Sequence, residues 1–368
     1  MQILVLGMHR SGTSAVVRLL NMMGAYLGPP DRVKGASPQN PKGFWENDDV
    51  VELDNRVLAA QRCLWNRLSE FDPDKLSDEK LATLRRRARD LIIRLDGSRP
   101  WAVKDPRMCL LLPFWRPLLE VPVGVLVNRG PLEVARSLQA RNGIPLNVGI
   151  ALWELHNLEA LRGSLGLPRL LIQYADVVSD PIGSTHKLFE GLMGLGLRKL
   201  ERPADDEVTA FIDPGLYHQK CDPQEQDEFL TPPQRRLYRA LVDGSALNMS
   251  EVPPLSSVAR ETLRGYDTGL YAQADALHFK AMLDRREQEL REVQKTLAES
   301  LETQKRLQTE WDRFRRGQRR VVRRDAEIGK ALKAIQSELE QLNARIGSLE
   351  TGKRDGRRKR AAPRRPSR

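Results

Sequence analysis

The sequence predicts an α/β domain built on a parallel sheet, followed by a long coiled-coil helix and a disordered basic tail. Three observations lead there. Short apolar runs that do not alternate with polar residues, the pattern of strands covered on both faces, recur between stretches of helical period. The first of them, Gln2-Ile3-Leu4-Val5-Leu6, passes through Gly7-Met8-His9-Arg10-Ser11-Gly12 directly into Thr13-Ser14 and the apolar run Ala15 to Leu20. From Leu283 onward, apolar positions step alternately by four and three over many turns.

Composition divides the chain in the same way. Its 368 residues carry a net charge of +11, but residues 1–276 hold 34 basic against 35 acidic side chains, residues 277–350 hold 17 against 13, and residues 351–368 hold nine against one. The basicity therefore belongs to an appendage, not to the folded body. Residues 1–276 are read as one domain, with 197–276 its cap, residues 277–350 as the coiled coil and 351–368 as the tail. Cys63, Cys109 and Cys221 lie far apart without metal-ligand spacing, which excludes a zinc ribbon and a disulfide framework and suits a reducing compartment. No run of eighteen apolar residues occurs, so a soluble, cytoplasmic protein is expected.

Along the chain, the first strand and helix are followed by a Pro- and Gly-rich loop from Gly28 to Gly43-Phe44-Trp45-Glu46-Asn47. Loops of that length are uncommon unless they bind something. Val50 to Leu64 and Leu81 to Leu95 read as helices, and Trp101-Ala102-Val103 as a buried strand closed by Lys104-Asp105-Pro106-Arg107. Val121 to Asn128 is a strand that ends on Arg129, with Pro131 opening the next helix and Glu133 in its first turn. A helix through Val148 to Leu161, a strand at Leu170 to Ile172 ending at Gln173-Tyr174, and a helix from Asp180 to Leu195 complete the alternation. The cap shows two helices, around Pro233 to Val242 and Ser256 to Asp275.

The heptad register runs through Leu283, Leu290, Val293, Leu307, Trp311, Phe314, Gln318, Val321, Asp325, Ile328, Leu332, Ile335, Leu339, Leu342, Ile346 and Leu349, with polar lapses at Arg286, Ser300 and Gln304, and Gly317 and Asp325 making it imperfect. Self-association through residues 283–349 is the favoured reading over one amphipathic helix folding back on the body. Seven arginines between Arg313 and Arg324 crowd several helix faces, and they and the tail suit a polyanion or an anionic membrane surface.

Chemistry concentrates at the carboxyl ends of the strands, where an α/β sheet takes its ligands. The turn after the first strand has the spacing Gly-x-x-x-x-Gly-x-Ser, but Thr13 stands where a Walker loop has its lysine, and the basic residue is Arg10. Helix-start N–H groups and the helix dipole make this an anion cradle, and an arginine inside the loop serves a shorter anion than a triphosphate. Arg129, with Ser137 and Arg141 spaced by four on the following helix, makes a second phosphate site beside it. Two monophosphate sites suit a bisphosphorylated nucleotide.

This combination resembles the sulfotransferase superfamily. Gly7-Met-His-Arg-Ser-Gly-Thr-Ser14 is similar to the 5′-phosphosulfate loop in its arginine-bearing form, as in tyrosylprotein and bacterial carbohydrate-type enzymes. Arg129-x7-Ser137 resembles the 3′-phosphate element, and Lys104-Asp105-Pro106 the lysine motif between them. Gly43-Phe44-Trp45-Glu46-Asn47 and Leu138-x2-Arg141 also look like bacterial members. The resemblance covers about residues 1–200. It departs from the pattern at Gly130, where an acidic residue is usual, and lacks the Lys-Gly-x-x-Gly-x-x-Lys element of the phenol and steroid enzymes.

What the resemblance implies is a P-loop-like sulfotransferase fold that takes 3′-phosphoadenosine 5′-phosphosulfate as donor, without a metal, and a hydroxyl-bearing acceptor, a saccharide foremost. His9, Arg10, Ser11, Gly12, Thr13 and Ser14 would bind the 5′ side of the donor, Arg129, Ser137 and Arg141 its 3′-phosphate, and Tyr174 would stack near it or pack there. Catalytic roles would fall to Arg10 at the leaving oxygen, Lys104 at the sulfonate oxygens and a base for the acceptor proton. For that base Glu46 is preferred, as a loop carboxylate partly desolvated beside Phe44 and Trp45 with its pKa raised toward neutrality; surface capping or pairing is its bland alternative, and Asp48 and Asp105 are alternates. A small-molecule P-loop kinase and a non-catalytic nucleotide-binding scaffold are the competing readings.

Overall fold

The computed structural model describes residues 1–37, 40–213, 215, 217, 219–316 and 322–358. These form two units, Met1–Gly269 and Leu270–Arg368.

In the first unit four parallel strands stand in the order β2-β1-β3-β4: β1 Gln2–Leu6, β2 Trp101–Lys104, β3 Pro122–Asn128 and β4 Arg169–Gln173. The register pairs Val5 with Lys104 on one side of β1 and with Val125 on the other, so the ends of β1, β2 and β3 reach one edge together. Every residue of β1, β2 and β3 is buried, which is why these strands read as unbroken apolar runs.

Alternate side chains of each strand enter different cores. Ile3, Val5, Ala102, Val123, Val125 and Val127 pack on helices α1 Thr13–Met22 and, across the same face, residues such as Leu188 and Leu192. Leu4, Leu6, Trp101, Val103 and Leu126 face the larger core, which draws on α2 Asp48–Ala60, α3 Ala82–Asp96, α4 Met108–Trp115, α5 Pro131–Asn142 and α6 Leu146–Gly163. The sheet is thus the middle of three layers. After β4, α7 Tyr174–Ser179 begins without a break, and α8 Pro181–Gly194 follows.

The cap holds α9 Asp205–Phe211, α10 Pro223–Phe229 and α11 Pro232–Val242 before α12 Ser257–Arg316. Buried Glu154 of α6 anchors it, accepting bonds from Gln234 Nε2 at 2.8 Å, Ser256 N at 2.8 Å and Ser256 Oγ at 2.9 Å. Trp115 and Trp153 are core residues, their indole N–H groups bound to Asp54 and to the Arg129 carbonyl. All three cysteines are free thiols, Cys63 and Cys109 buried.

Four helices escaped the periodicity, among them the six-residue α7, which follows β4 directly and is too short to show a period. α4 is apolar on every side and buried, so it carries no amphipathic stripe, and Pro113 lies inside it. α9 and α10 have seven residues each, too short to show a period.

In the second unit α12 is followed by α13 Val322–Arg358. Among side chains that are described there, Val293 and Leu342 of the heptad stripe are buried, at 6% and 7% exposure, whereas Leu301, off the stripe, is 42% exposed. The helical backbone runs to Arg358, past the boundary at which the sequence predicts disorder. Gly317, Arg319, Arg320 and Val321 lie outside the described residues, as do residues 359–368. No helix among the described residues is long and apolar enough to cross a membrane.

Candidate active site

The turn from β1 to α1 is held by its own backbone. Arg10 takes φ 71° and Gly12 φ 86°, and the Ser11 N–H closes on the Met8 carbonyl at 3.1 Å. A Cβ on Gly12 would fall 2.0 Å from the Tyr174 ring, so the glycine serves close packing as well as its left-handed conformation. Thr13 and Ser14 open α1, where no intrahelical carbonyl reaches their N–H groups, with the dipole behind them. Ser11 differs from the expectation: its N–H belongs to the turn and its residue is buried, so it supports the loop and does not offer that donor to a ligand.

Two arginines from different elements converge on this turn. Arg129, at the end of β3, donates from Nη1 to the Arg10 carbonyl at 2.9 Å, and Arg10 Nε donates to Ser137 Oγ of α5 at 2.9 Å. The loop and the Arg129–Ser137 element, read from sequence as two sites, are therefore joined by hydrogen bonds. Arg141, one turn beyond Ser137, lies over the Phe44 ring at 5.7 Å. Burial first, and then the neighbouring Arg141 and Arg129, lower the Arg10 pKa from its ordinary value. Confining guanidinium groups together raises the local field, which an anion would relieve.

Residues 33–35 run antiparallel to residues 44–47, with Val33 bridged to Asn47, Lys34 N donating to the Glu46 carbonyl at 2.8 Å and Trp45 N to the Lys34 carbonyl at 2.9 Å. Asn47 caps α2 by accepting from Asp49 N and Val50 N. This geometry sends Glu46 inward to Lys104 at the end of β2, with Nζ to Oε1 2.6 Å and the side chains 2% and 11% exposed. The sequence places this carboxylate beside Phe44 and Trp45; the sheet register adds an ammonium as its buried partner. Burial, opposed by Glu46, lowers the Lys104 pKa.

The alternates for a base sit elsewhere. Asp105 is fully buried and binds Arg107 through both oxygens, at 2.7 and 2.8 Å, and Asp48 lies at a 38% exposed helix start near Lys34. His9 also departs from the anion-donor expectation. Its ring lines the cavity but stacks on Trp65 at 4.5 Å, its Nε2 is buried without a hydrogen-bond partner, and burial followed by Arg107 holds its pKa well below 6.5.

These groups enclose a cavity of about 360 Å³. Its described lining includes five cationic side chains, Arg10, Lys42, Lys104, Arg129 and Arg141, against two carboxylates, Glu46 and Asp213. Thr13, Ser14 and Tyr174 also face it, while Val178, Phe211 and Ile212 supply an apolar side. Of the site residues read from sequence, Ser11 and Ser137 are the two that do not line it; Ser137 acts through Arg10.

Several contributors went unread. Lys42 and Asn40 sit in the loop recognised as a binding element, so their neighbourhood was visible though their roles were not. Phe211 to Asp213 and Tyr217 belong to the poorly patterned cap, which offered no signal. Glu133, read as a helix-dipole acid, is buried and pairs with Arg129 at 3.1 Å.

The chain is similar in structure to solved sulfotransferase domains. The sulfotransferase domain from the Synechococcus PCC 7002 olefin synthase is 17% identical, with a TM-score of 0.35, over 72% of this chain and 94% of that one. The sulfotransferase domain from the curacin biosynthetic pathway is 17% identical at a TM-score of 0.34, over 68% and 98%. Sulfotransferase STF9 from Mycobacterium avium is 16% identical at 0.35, over 66% and 76%. No protein-family model and no curated protein matches the sequence.

Proposed function

We propose that the protein is a sulfotransferase that moves a sulfuryl group from 3′-phosphoadenosine 5′-phosphosulfate to a hydroxyl or amine acceptor, a saccharide foremost. The observation that carries this reading is the convergence of Arg10, Arg129 and Arg141 on one cavity, with Arg10 tied to Ser137 and Lys104 at its floor. The donor set suits a ligand with two separated phosphate groups: a helix start with its loop arginine, and a strand-end arginine with a second arginine on the next helix. Thr13 stands where a Walker loop has the lysine that reaches the β- and γ-phosphates, and the lack of that lysine disfavours a triphosphate.

Bound, the donor would supply an activated sulfuryl group. Arg10 and the N–H groups of Thr13 and Ser14 would hold its 5′-phosphate and neutralise the leaving oxygen. Arg129, Arg141 and the Arg10-linked Ser137 would hold the 3′-phosphate. Tyr174 and the apolar wall of Val178, Phe211 and Ile212 would flank the nucleoside. Lys104 would meet the sulfonate oxygens, and Glu46, released from Lys104 as that happens, would take the acceptor proton. Residues 283–349 are proposed to self-associate, and the Arg313–Arg324 band and basic tail to engage a polyanion or an anionic membrane surface, in a cytoplasmic setting.

The deciding experiment is calorimetric titration with adenosine 3′,5′-bisphosphate in parallel with ATP plus magnesium. Micromolar binding of the bisphosphate and none of ATP is expected. Binding of ATP alone would replace the proposal with the kinase, and binding of neither with a scaffold whose nucleotide domain is degenerate.

A further inference from the structure

The geometry points to a clamp that the sulfotransferase reading does not require: Glu133 and Tyr217 are positioning residues for Arg129, and through them the cap tunes selectivity for a 3′-phosphate. Glu133 is 4% exposed and gathers three donors on one carboxylate. Arg129 Nε donates to Oε2 at 3.1 Å, the Tyr217 hydroxyl donates to the same oxygen at 2.6 Å, and the Cys221 backbone N–H donates to Oε1 at 3.1 Å. The carboxylate thus joins the end of β3 to cap residues 84 and 88 positions further along the chain.

Tyr217 does more than tie the cap down. Its ring centroid lies 4.7 Å from the Arg129 guanidinium carbon, so the hydroxyl that anchors on Glu133 also fixes an aromatic face against the cation. Tyr174 stands 5.2 Å from the same carbon and meets Tyr217 edge to face at 5.3 Å. With Nε on Glu133 and Nη1 on the Arg10 carbonyl, the guanidinium plane is fixed by two bonds and two rings. A free arginine side chain has many rotamers, and a planar fork held beforehand loses less on binding an oxyanion.

Glu133 has two opposing effects on an anion at Arg129. Its charge repels the ligand; its bonds orient the ligand's partner. The two effects have opposite signs in a binding measurement. Glu133→Gln removes the charge and leaves one carbonyl oxygen for three donors, so a mere counter-charge would predict tighter binding of a phosphate, whereas a positioning role predicts weaker binding. Tyr217→Phe leaves every charge and the ring in place and removes only the anchor.

This inference rests on Arg129 recognising the 3′-phosphate, and the experiment separates the two. Full-length wild type, Tyr217→Phe, Glu133→Gln, Arg129→Ala and the Tyr217→Phe, Arg129→Ala double variant are titrated with adenosine 3′,5′-bisphosphate and with adenosine 5′-monophosphate. The expected result is a loss of about fivefold in bisphosphate affinity for Tyr217→Phe and about tenfold for Glu133→Gln, with monophosphate affinity changed less than about twofold. In the Arg129→Ala background Tyr217→Phe should have no further effect, because the tyrosine acts through that arginine. A wild type that does not distinguish the two nucleotides would remove the Arg129 reading itself. A discriminating wild type with unchanged selectivity in Tyr217→Phe, equal losses for both nucleotides, or tighter bisphosphate binding in Glu133→Gln would overturn the clamp. Should Glu133→Gln fail to fold, Tyr217→Phe and its double variant decide alone.

Discussion

Replacing Glu46 by glutamine tests the ion pair at the cavity floor. The substitution keeps the shape and an oxygen that can accept from Lys104, and removes only the charge 2.6 Å from an ammonium that is 2% exposed. At an effective dielectric near 20, two unit charges 4 Å apart interact by about 4 kcal/mol, and breaking a buried pair from one side costs about 3–5 kcal/mol. With the hydrogen bond retained, the lower end applies, about 3 kcal/mol. For a body of this size each kcal/mol moves the melting temperature by about 3 °C, so a fall of about 9 °C at pH 7 is expected by calorimetry of the variant. The pH dependence has a definite sign. Burial lowers the folded-state pKa of Lys104 from 10.5, and Glu46 opposes that fall, so losing Glu46 lowers it further. Below the folded pKa the cost of keeping a buried ammonium is fully present. As pH rises through that value the fold releases the proton while the unfolded chain still holds it, and stability is regained. The deficit of Glu46→Gln against wild type should therefore shrink between pH 7 and pH 10. Adding Lys104→Met, which removes the stranded charge, should restore most of the stability. A melting temperature within about 2 °C of wild type at pH 7, or a deficit that grows with pH, would refute the pairing as described.

Three further outcomes are expected. Arg10→Ala removes the guanidinium at the loop and should lower sulfuryl transfer by at least about a hundredfold in a labelled-donor assay; a wild-type rate would take the loop out of the mechanism. Glu154→Ala leaves Gln234 Nε2 and both Ser256 donors without their buried acceptor, a loss of about 3 kcal/mol seen as a lower urea midpoint for the first unit, and an unchanged midpoint would mean that the cap is held by apolar contacts alone. The isolated heptad arm, residues 283–349, should sediment as an oligomer at tens of micromolar, whereas a monomer would leave the stripe to contacts within one chain.

Much of the body could be read from local pattern because its causes are local. An unalternating apolar run such as Val121 to Asn128 announces a strand buried on both faces, Pro131 marks a helix start, and a glycine-bracketed turn before Thr13 marks the passage from a strand to a helix. The same locality explains what was missed. α4 carries no period because burial on all sides leaves none, and Phe211 to Asp213 reach the cavity through the path of the cap, to which no spacing rule applies.

The sequence by itself determined the order of strands and helices, the strand-end positions of Lys104 and Arg129, and the spacing that puts Ser137 and Arg141 on one face of α5. Each follows from periods of two or 3.6 residues and from the steric habits of glycine and proline. Only the tertiary structure decided the partners. Placing β1 between β2 and β3 set Lys104 against the loop that carries Glu46, made the two a buried ion pair, and brought Arg10 to Ser137 across 127 residues of chain. It also brought Tyr217, from a segment with no readable period, to Glu133, the acid four residues beyond Arg129. Charge and hydrogen-bond pairing depend on distances of a few ångströms between segments far apart in sequence, and those distances come into being only when the sheet closes.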